Sequence, residues 1–228
     1  MKKLLLVLTV VLFANVARAE GFGFCIGPKI GYQTTKLSLE KAEIKKGFSD
    51  HFTAGVFGRI TFNNFIIQPE LLWFKSGQVF NFDIQPDANI NQGGLDVSLN
   101  PSLTMTQQNL AFPIFLGYQI DGGILKLRAN VGPVMYFVLN QKQTVDNNGN
   151  TESVNFKNLD TKGMTWGAAL NIGLDVWKLT LDVNYSFGLS NFFKSDNVDW
   201  SFGQYHGSFA LDKTKQNVFT ITLGLKFL

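Results

Sequence analysis

The chain has 228 residues, with 20 basic and 17 acidic side chains, and its 22 phenylalanines and 22 glycines accompany only 6 prolines. Cys25 is the only cysteine, which excludes an intrachain disulfide and means that an exported form needs another source of rigidity. Lys2, Lys3 and Arg18 lie in the N-terminal segment described next, and their removal lowers the basic count from 20 to 17, equal to the acidic count. This balance argues against nucleic-acid binding.

The first 19 residues have the pattern of a secretory signal peptide. Two lysines precede an apolar run from Leu4 to Ala14, and Ala17-Arg18-Ala19 is an A-x-A cleavage site. The apolar run has about 11 residues, whereas a transmembrane helix needs about 20. We therefore predict cleavage after residue 19 and a mature chain, residues 20–228, that forms a single domain.

Eight segments of the mature chain alternate apolar and polar residues with a period of two, which is typical of β-strands. In chain order they cover residues 24–34, 51–62, 65–73, 106–120, 125–137, 164–176, 179–189 and 219–227. Short turns are predicted at Asn63-Asn64, Asp121-Gly122-Gly123 and Trp177-Lys178, and long loops at 37–49, 81–104, 140–162 and 191–215.

The alternation of short turns with long loops, together with the even number of strands, is typical of outer-membrane barrels. We predict an all-β fold, an eight-stranded antiparallel transmembrane β-barrel with short periplasmic turns and long extracellular loops. The predicted location is the bacterial outer membrane.

The two faces of these strands differ in chemistry. One face is almost entirely apolar, and the other carries charges of both signs at Lys29, Arg59, Glu70, Lys126, Arg128, Asp175, Asp182 and Lys226. Because an unpaired buried charge is costly, we expect these side chains to form a structural polar network inside the barrel. Across the short turn Arg59 lies opposite Gln68 and diagonal to Glu70, within reach of a long side chain. The interior of an eight-stranded barrel is just wide enough for side chains, which predicts no open water channel.

Several short segments resemble the PorT family of outer-membrane β-barrels, an OmpA/OmpX-like group of eight-stranded proteins. They are Gly27-Pro28-Lys29-Ile30-Gly31, Ala54-Gly55-Val56-Phe57-Gly58, Gln68-Pro69-Glu70-Leu71-Leu72, Leu110-Ala111-Phe112-Pro113-Ile114, Val131-Gly132-Pro133 and Asn184-Tyr185-Ser186-Phe187-Gly188-Leu189. The resemblance implies an integral outer-membrane location and a link to protein secretion to the cell surface. The C-terminal residues Leu223, Leu225 and Phe227 resemble the signal read by the barrel-assembly machinery, although Leu228 follows the usual terminal phenylalanine.

No arrangement of residues indicates catalysis, a cofactor or a metal site. Ser49, Asp50 and His51 are adjacent at the start of a strand, where successive side chains point apart, which is the wrong geometry for a hydrolase triad. No group of histidine, cysteine and acidic residues has the spacing of metal ligands. We expect Cys25 to be a quiet buried thiol that faces inward near the periplasmic end.

Aromatic residues in the last long loop form a candidate partner surface, namely Trp200, Phe202, Tyr205 and His206. Exposed aromatic side chains on a loop can bind a partner, and the same residues can instead extend the barrel as a short hairpin. The sequence leaves these two interpretations equal.

The sequence favours a non-enzymatic structural or interaction barrel, linked to protein secretion or cell-surface assembly. The expected partners are outer-membrane lipid, the barrel-assembly machinery and an envelope or secreted protein. The alternatives are a narrow channel or small-ligand transport barrel, and a lipid-modifying outer-membrane enzyme.

Overall fold

A computed structural model describes residues 21–38, 49–81, 102–146, 155–157, 161–194, 197–202, 205–210 and 214–227. Within these ranges the chain forms eleven strands: β1 (Phe22–Ser38), β2 (Ser49–Phe62), β3 (Phe65–Asn81), β4 (Ser102–Gly122), β5 (Leu125–Asp146), β6 (Asn155–Lys157), β7 (Met164–Val176), β8 (Leu179–Gly188), β9 (Asn197–Phe202), β10 (Tyr205–Ala210) and β11 (Lys215–Leu225). A search of these same ranges finds no helix with the length and hydropathy needed to cross a membrane.

Eight of the strands close into a barrel in the order β1–β11–β8–β7–β5–β4–β3–β2. Every neighbouring pair is antiparallel, and β1 pairs with both β2 and β11, which closes the sheet. The predicted eight-stranded antiparallel barrel is therefore confirmed. An isolated bridge between Ile26 and Phe227 extends the closing seam beyond the end of β11.

The short turns join strands whose hydrogen bonding continues up to the turn itself. Asn63 and Trp177 adopt positive φ values of 51° and 52°, and Gly123 has φ 83°. Two-residue hairpin turns favour such left-handed residues because their twist matches that of the strands. The turn predicted at residues 121–123 is displaced towards the C-terminus, since β4 continues to Gly122 and Gly123 with Ile124 makes the turn. Glycine supplies the left-handed conformation there at no steric cost.

Three neighbouring strands are much longer than a membrane crossing requires. β4 has 21 residues and β5 has 22, whereas a tilted transmembrane strand needs about 9–11. The excess of about 10 residues per strand corresponds to roughly 30 Å along the chain. β3 pairs with β4 as far as Asn81 and Ser102, so β3, β4 and β5 form one wall that continues past the membrane on the loop side. The predicted ends of these strands, and the loops predicted to begin there, were therefore wrong by up to nine residues.

A second, three-stranded sheet forms outside the barrel in the order β10–β9–β6. β9 and β10 make a hairpin in which Tyr205 pairs with Phe202 and Gly207 pairs with Trp200. His206 lies in β10 and pairs with Ser201. Residues 197–202 and 205–210 of the last long loop thus form a hairpin, as one of the two alternatives expected, but it pairs with β6 in a separate sheet and does not extend the barrel sheet. The side chains of its aromatic residues lie outside the described part of the structure.

Glycines on the inner face allow the tight curvature of this small barrel. A Cβ atom on Gly132 would lie 1.9 Å from the carbonyl oxygen of Ile114, and one on Gly55 would lie 2.0 Å from that of Leu71. The neighbouring backbone therefore occupies the space of a side chain at these positions. Glycine kinks of this kind are the usual means of curving a sheet into a barrel.

Candidate functional site: the barrel lumen

The barrel has an inverted distribution of polarity. Arg128 and Asp182 are fully buried at 0% exposure inside the barrel, while Ile172 on the outer face is 63% exposed. A water-soluble barrel has the opposite arrangement, with apolar residues inside and charges in water. The outer wall is therefore suited to hydrocarbon, and the polar chemistry of the strands is confined to the lumen.

Seven charged residues meet in the half of the lumen next to the short turns, and we call them the lumen network. They are Lys29, Arg59, Glu70, Arg128, Asp175, Asp182 and Lys226. All were predicted to lie inside the barrel, and the structure brings them into one connected set. With every group ionised, the network holds four cations and three carboxylates.

Lys29 joins two carboxylates from different strands. Its ammonium group contacts Glu70 and lies 2.7 Å from Asp182. The same ammonium lies 4.9 Å from the centroid of the Phe57 ring. Phe57 belongs to β2, the strand that lies between β1 and β3 in the barrel. A desolvated ammonium over an aromatic face is stabilised by the ring quadrupole. The aromatic ring therefore adds to the two ion pairs of this buried lysine.

Asp175 is the acceptor for three cations. Arg59 Nη1 lies 2.5 Å from one carboxylate oxygen and Arg128 Nη2 lies 2.9 Å from the other. Lys226, which is 15% exposed at the turn end of the barrel, completes the set at 3.1 Å. Arg128 also lies 3.0 Å from Asp182, which connects this group to the one around Lys29.

Two neutral side chains complete the network and were not recognised as members from the sequence. Gln68 accepts hydrogen bonds from Arg59 Nε at 2.6 Å and from Arg128 Nη1 at 3.1 Å, and it donates to Glu70. Thr180 accepts hydrogen bonds from both guanidinium groups. Both residues have the inward parity of their strands, and that parity is the signal that could have found them.

Two expectations about individual charges are corrected by the structure. Arg59 pairs with Asp175 across the lumen, and Glu70 pairs with Lys29, so the expected contact between Arg59 and Glu70 is wrong. Lys126 lies apart from the network, with its side chain 35% exposed and 2.5 Å from Asp121. Its position next to the β4–β5 turn places it at the rim, where water solvates the ammonium group.

A layer of asparagines lies above the charged network on the loop side. Asn171 donates hydrogen bonds to Asp182 and Asn184, and it accepts one from Asn130. These amides project from β5, β7 and β8 and connect the carboxylate of Asp182 to the next layer of the lumen. Buried amides in such a chain exchange their hydrogen bonds with each other in place of water.

An apolar layer fills the middle of the lumen. Its buried members are Leu72, Phe74, Ala111, Phe115, Val134, Tyr136, Ala169 and Val218. The rings of Phe74 and Tyr136 meet edge to face at 6.1 Å, and the Tyr136 hydroxyl is 2.5 Å from the Ser186 hydroxyl. A cavity of about 20 Å³ lies beside this layer, lined on its polar side by Gln33 and Asn184, and this volume suits about one water molecule.

Two buried residues that follow β8 lie at the loop end of the lumen. Phe192 and Phe193 are each 3% exposed, and their rings meet edge to face at 5.1 Å. The backbone N–H of Phe192 donates to Thr214 O, and Phe193 forms an isolated bridge with Thr161. The Thr161 hydroxyl in turn accepts a hydrogen bond from Gln107 at 3.0 Å. The described side chains thus occupy the lumen in successive layers from the turns to the loops.

The remaining candidate residues do not form a reactive site in the described part of the chain. Cys25, which was expected to be a buried thiol, is only half-buried and lies opposite Arg59. His51 pairs with Gln33 in the β1–β2 ladder, and the side chains of Ser49 and Asp50 lie outside the described residues. Among the described residues, no group of three or more histidine, cysteine and acidic side chains could hold a metal ion.

The closed strand order, the apolar outer wall and the polar lumen define a transmembrane β-barrel of the outer-membrane type. Residues 13–194 match the family model described as outer membrane protein beta-barrel domain, and the chain belongs to this family.

The chain also has a low similarity to two solved structures. Ail, the attachment invasion locus protein of Yersinia pestis, solved with the heparin analogue sucrose octasulfate, has 11% identity and a TM-score of 0.42, covering 90% of this chain and 99% of that one. Neisserial surface protein A has 11% identity and a TM-score of 0.38, covering 91% of this chain and 99% of its own. No curated protein matches the chain. The family assignment therefore rests on the family model.

Proposed function

We propose that this outer-membrane protein acts without catalysis and without a permanent pore, as a structural or interaction barrel. In this proposal the surface loops or the periplasmic turns bind another envelope component or a secreted protein. The observation that supports it is the filled lumen, in which the charged network, the apolar layer and the Phe192–Phe193 pair follow one another along the axis. When side chains occupy the interior of a barrel, its loops and turns are the surfaces that remain for binding a partner.

The energetics of the lumen network argue against a steady channel. A continuous water path would have to separate Asp175 from Arg59 and Arg128, which are at most 3% exposed. Breaking a buried ion pair costs about 3–5 kcal/mol because it leaves an uncompensated charge. The apolar layer would then have to open as well, so conduction would need two separate rearrangements.

The absence of catalysis is likewise a proposal. Ser49, Asp50 and His51 follow one another at the start of β2, and successive strand residues point to opposite faces. A triad needs its base within hydrogen-bond reach of the nucleophile and also of the acid. This arrangement therefore supports a structural role for the residues of the rim.

The narrower family and the biogenesis of the protein are part of the same proposal. The short segments that resemble the PorT family support a link to protein secretion, and the A-x-A site supports signal cleavage after residue 19. The seam at the C-terminus supports recognition by the barrel-assembly machinery, since Phe227 exchanges two backbone hydrogen bonds with Ile26 of β1. The C-terminal residues that resemble the assembly signal therefore also take part in closing the barrel against β1.

Site-specific photo-crosslinking in intact cells tests the interaction role. A photoreactive residue is placed at Tyr205 in the loop hairpin, at Lys178 in a short turn, or at the lipid-facing control position Leu170. We expect a discrete protein adduct from the loop or the turn and none from Leu170. Adducts that are the same at all three positions would contradict the proposal.

Conductance and activity measurements test the two alternatives. We expect no steady current when the purified mature chain is inserted in planar bilayers, and stepwise openings would refute the closed lumen. We also expect no modification of lipid A by the protein. A modifying activity that is lost in the His51→Ala or His206→Ala variant would establish the enzymatic alternative.

A further inference from the structure

Four prolines lie inside the strands of the closed barrel. Pro28 belongs to β1, Pro69 to β3, Pro113 to β4 and Pro133 to β5. Proline has no backbone N–H, so within sheets it is normally confined to edge strands, where no ladder hydrogen bond is lost. A closed barrel has no edge strands. Each of these prolines therefore removes a hydrogen bond from the wall itself.

The pairing of the strands is interrupted opposite the prolines without a change of register. Between β3 and β4 no pair forms at residues 70–71 and 112–113, a gap that contains Pro113. Gaps of two residues per strand also occur between β2 and β3 at Pro69 and between β4 and β5 at Pro133. One absent N–H accounts for each gap. By register, the backbone carbonyl groups that lose their ladder donors are those of Gly58, Glu70 and Ile114.

These three gaps lie side by side, in the consecutive ladders β2–β3, β3–β4 and β4–β5. We call the side formed by β2, β3, β4 and β5 the proline wall. The ladders β5–β7, β7–β8 and β8–β11 run without a gap. Pro28 lies outside the proline wall, in the β1–β11 seam between the Lys29–Gly224 pair and the Ile26–Phe227 bridge. The barrel thus has one interrupted side and one continuous side.

The cavity in the apolar layer lies between these two sides. Leu72, Pro113 and Val134 of the proline wall line it, and Asn184 and Ser186 of β8 line it from the continuous side. A backbone carbonyl without a donor is costly in hydrocarbon, where no water can replace the missing bond. Water can reach these carbonyl groups only from the lumen, so the proline wall gains more than the continuous side from opening towards the lumen.

We propose that the proline wall is the compliant side of the barrel, which opens locally at its three gaps while the side formed by β7, β8 and β11 stays closed. Each missing hydrogen bond lowers the free energy of local opening, because opening then breaks fewer bonds. The long loop-side parts of β3, β4 and β5 continue from this wall. A force applied to them is therefore transmitted first to the interrupted ladders.

Backbone hydrogen exchange tests the proposal at two matched amides. Phe115 of β4 and Asn184 of β8 are both buried, at 1% and 7% exposure, and both line the cavity. They therefore have the same access to any water in the lumen. Phe115 pairs with Gln68 next to a gap, whereas Asn184 pairs within two continuous ladders. The full mature chain is refolded in phospholipid nanodiscs, and the exchange of each amide is followed by NMR.

We expect the amide of Phe115 to exchange on the order of tenfold faster than that of Asn184, since the loss of one or two hydrogen bonds corresponds to about that factor. Equal exchange of the two amides in the wild-type protein would overturn the proposal. This comparison needs no substitution and so does not depend on the folding of a variant.

Substitution of the prolines by alanine tests the cause. The variant P69A/P113A/P133A restores the three N–H donors of the proline wall, and P28A is the matched control because it restores one donor outside it. The triple variant should reduce the difference between the two amides to within about threefold, and P28A should leave it unchanged. A difference that persists in the triple variant, or that P28A also abolishes, would overturn the proposal. If the triple variant does not refold, P113A alone should slow exchange at Phe115 about threefold or more without affecting Asn184, and no slowing would overturn it.

Discussion

Asp175→Asn tests whether the lumen network stabilises the barrel through paired charge. The substitution keeps the size of the side chain but removes the negative charge that Arg59, Arg128 and Lys226 share at 2.5, 2.9 and 3.1 Å. The network would then hold four cations against two carboxylates. Lys226 is partly exposed and can turn to water, whereas the two guanidinium groups are at most 3% exposed and cannot. We expect the free energy of unfolding to fall by about 3–5 kcal/mol.

The assay is reversible urea unfolding of the refolded mature chain in lipid vesicles, followed by tryptophan fluorescence. Asp121→Asn is the matched control, because Asp121 also lies 2.5 Å from a basic side chain but in an exposed pair. Exposed pairs contribute little to stability, so the control should unfold at the wild-type urea midpoint. The double variant D175N/R59M should be less destabilised than the sum of the two single variants, since it removes one charge of each sign. Equal stability of the Asp175→Asn and Asp121→Asn variants would refute the reasoning.

Three further predictions use the same unfolding assay. Gly132→Ala should lower the free energy of unfolding by about 2–3 kcal/mol, because the added Cβ would lie 1.9 Å from the Ile114 carbonyl oxygen. Gly58→Ala is the control and should not destabilise the barrel, because nothing lies within 4 Å of that position. Equal effects of the two substitutions would contradict the curvature argument. Tyr136→Phe should lower the free energy of unfolding by about 1 kcal/mol through loss of a buried hydroxyl contact of 2.5 Å, and no change would mean that the contact contributes nothing. Phe192→Ala should cost about 3 kcal/mol without producing current in planar bilayers, since the layers beneath remain closed; a steady current would place the barrier at the loop end alone.

The faces of the strands could be predicted from the sequence because lipid and lumen impose opposite chemistry on alternate residues. Asp175 and Asp182 each interrupt an apolar alternation, and this contrast places both inside. The outer parts of β3 and β5 lacked that contrast, since consecutive residues, which lie on opposite faces of a strand, are all polar at Lys75-Ser76 and at Gln141-Lys142-Gln143. The alternation therefore ended before the strands did, and their length was underestimated.

The choice of partners within the lumen could not be predicted from the sequence. Arg59 and Asp175 are 116 residues apart, and they project from β2 and β7, which are not neighbours in the barrel. Only closure of the sheet brings these strands to face each other. The register across the short turn correctly placed Gln68 opposite Arg59. It could not show whether Arg59 would pair with Glu70 or with a carboxylate from the other side of the lumen. The pairing of β6 with β9 is non-local in the same way.

The lumen network also specifies the register of the strands. A slip of one residue between two strands turns every side chain of one of them to the other face. For β8 such a slip would place Asp182 in hydrocarbon and leave Lys29 and Arg128 without that carboxylate. Basic side chains at the middle of the lipid face cost about 2–4 kcal/mol each, so a slip of β5 that exposed Arg128 would be penalised as well. Buried ion pairs often add little net stability compared with apolar packing. Their contribution here is therefore specificity, because only one register keeps all the charges of the lumen network paired.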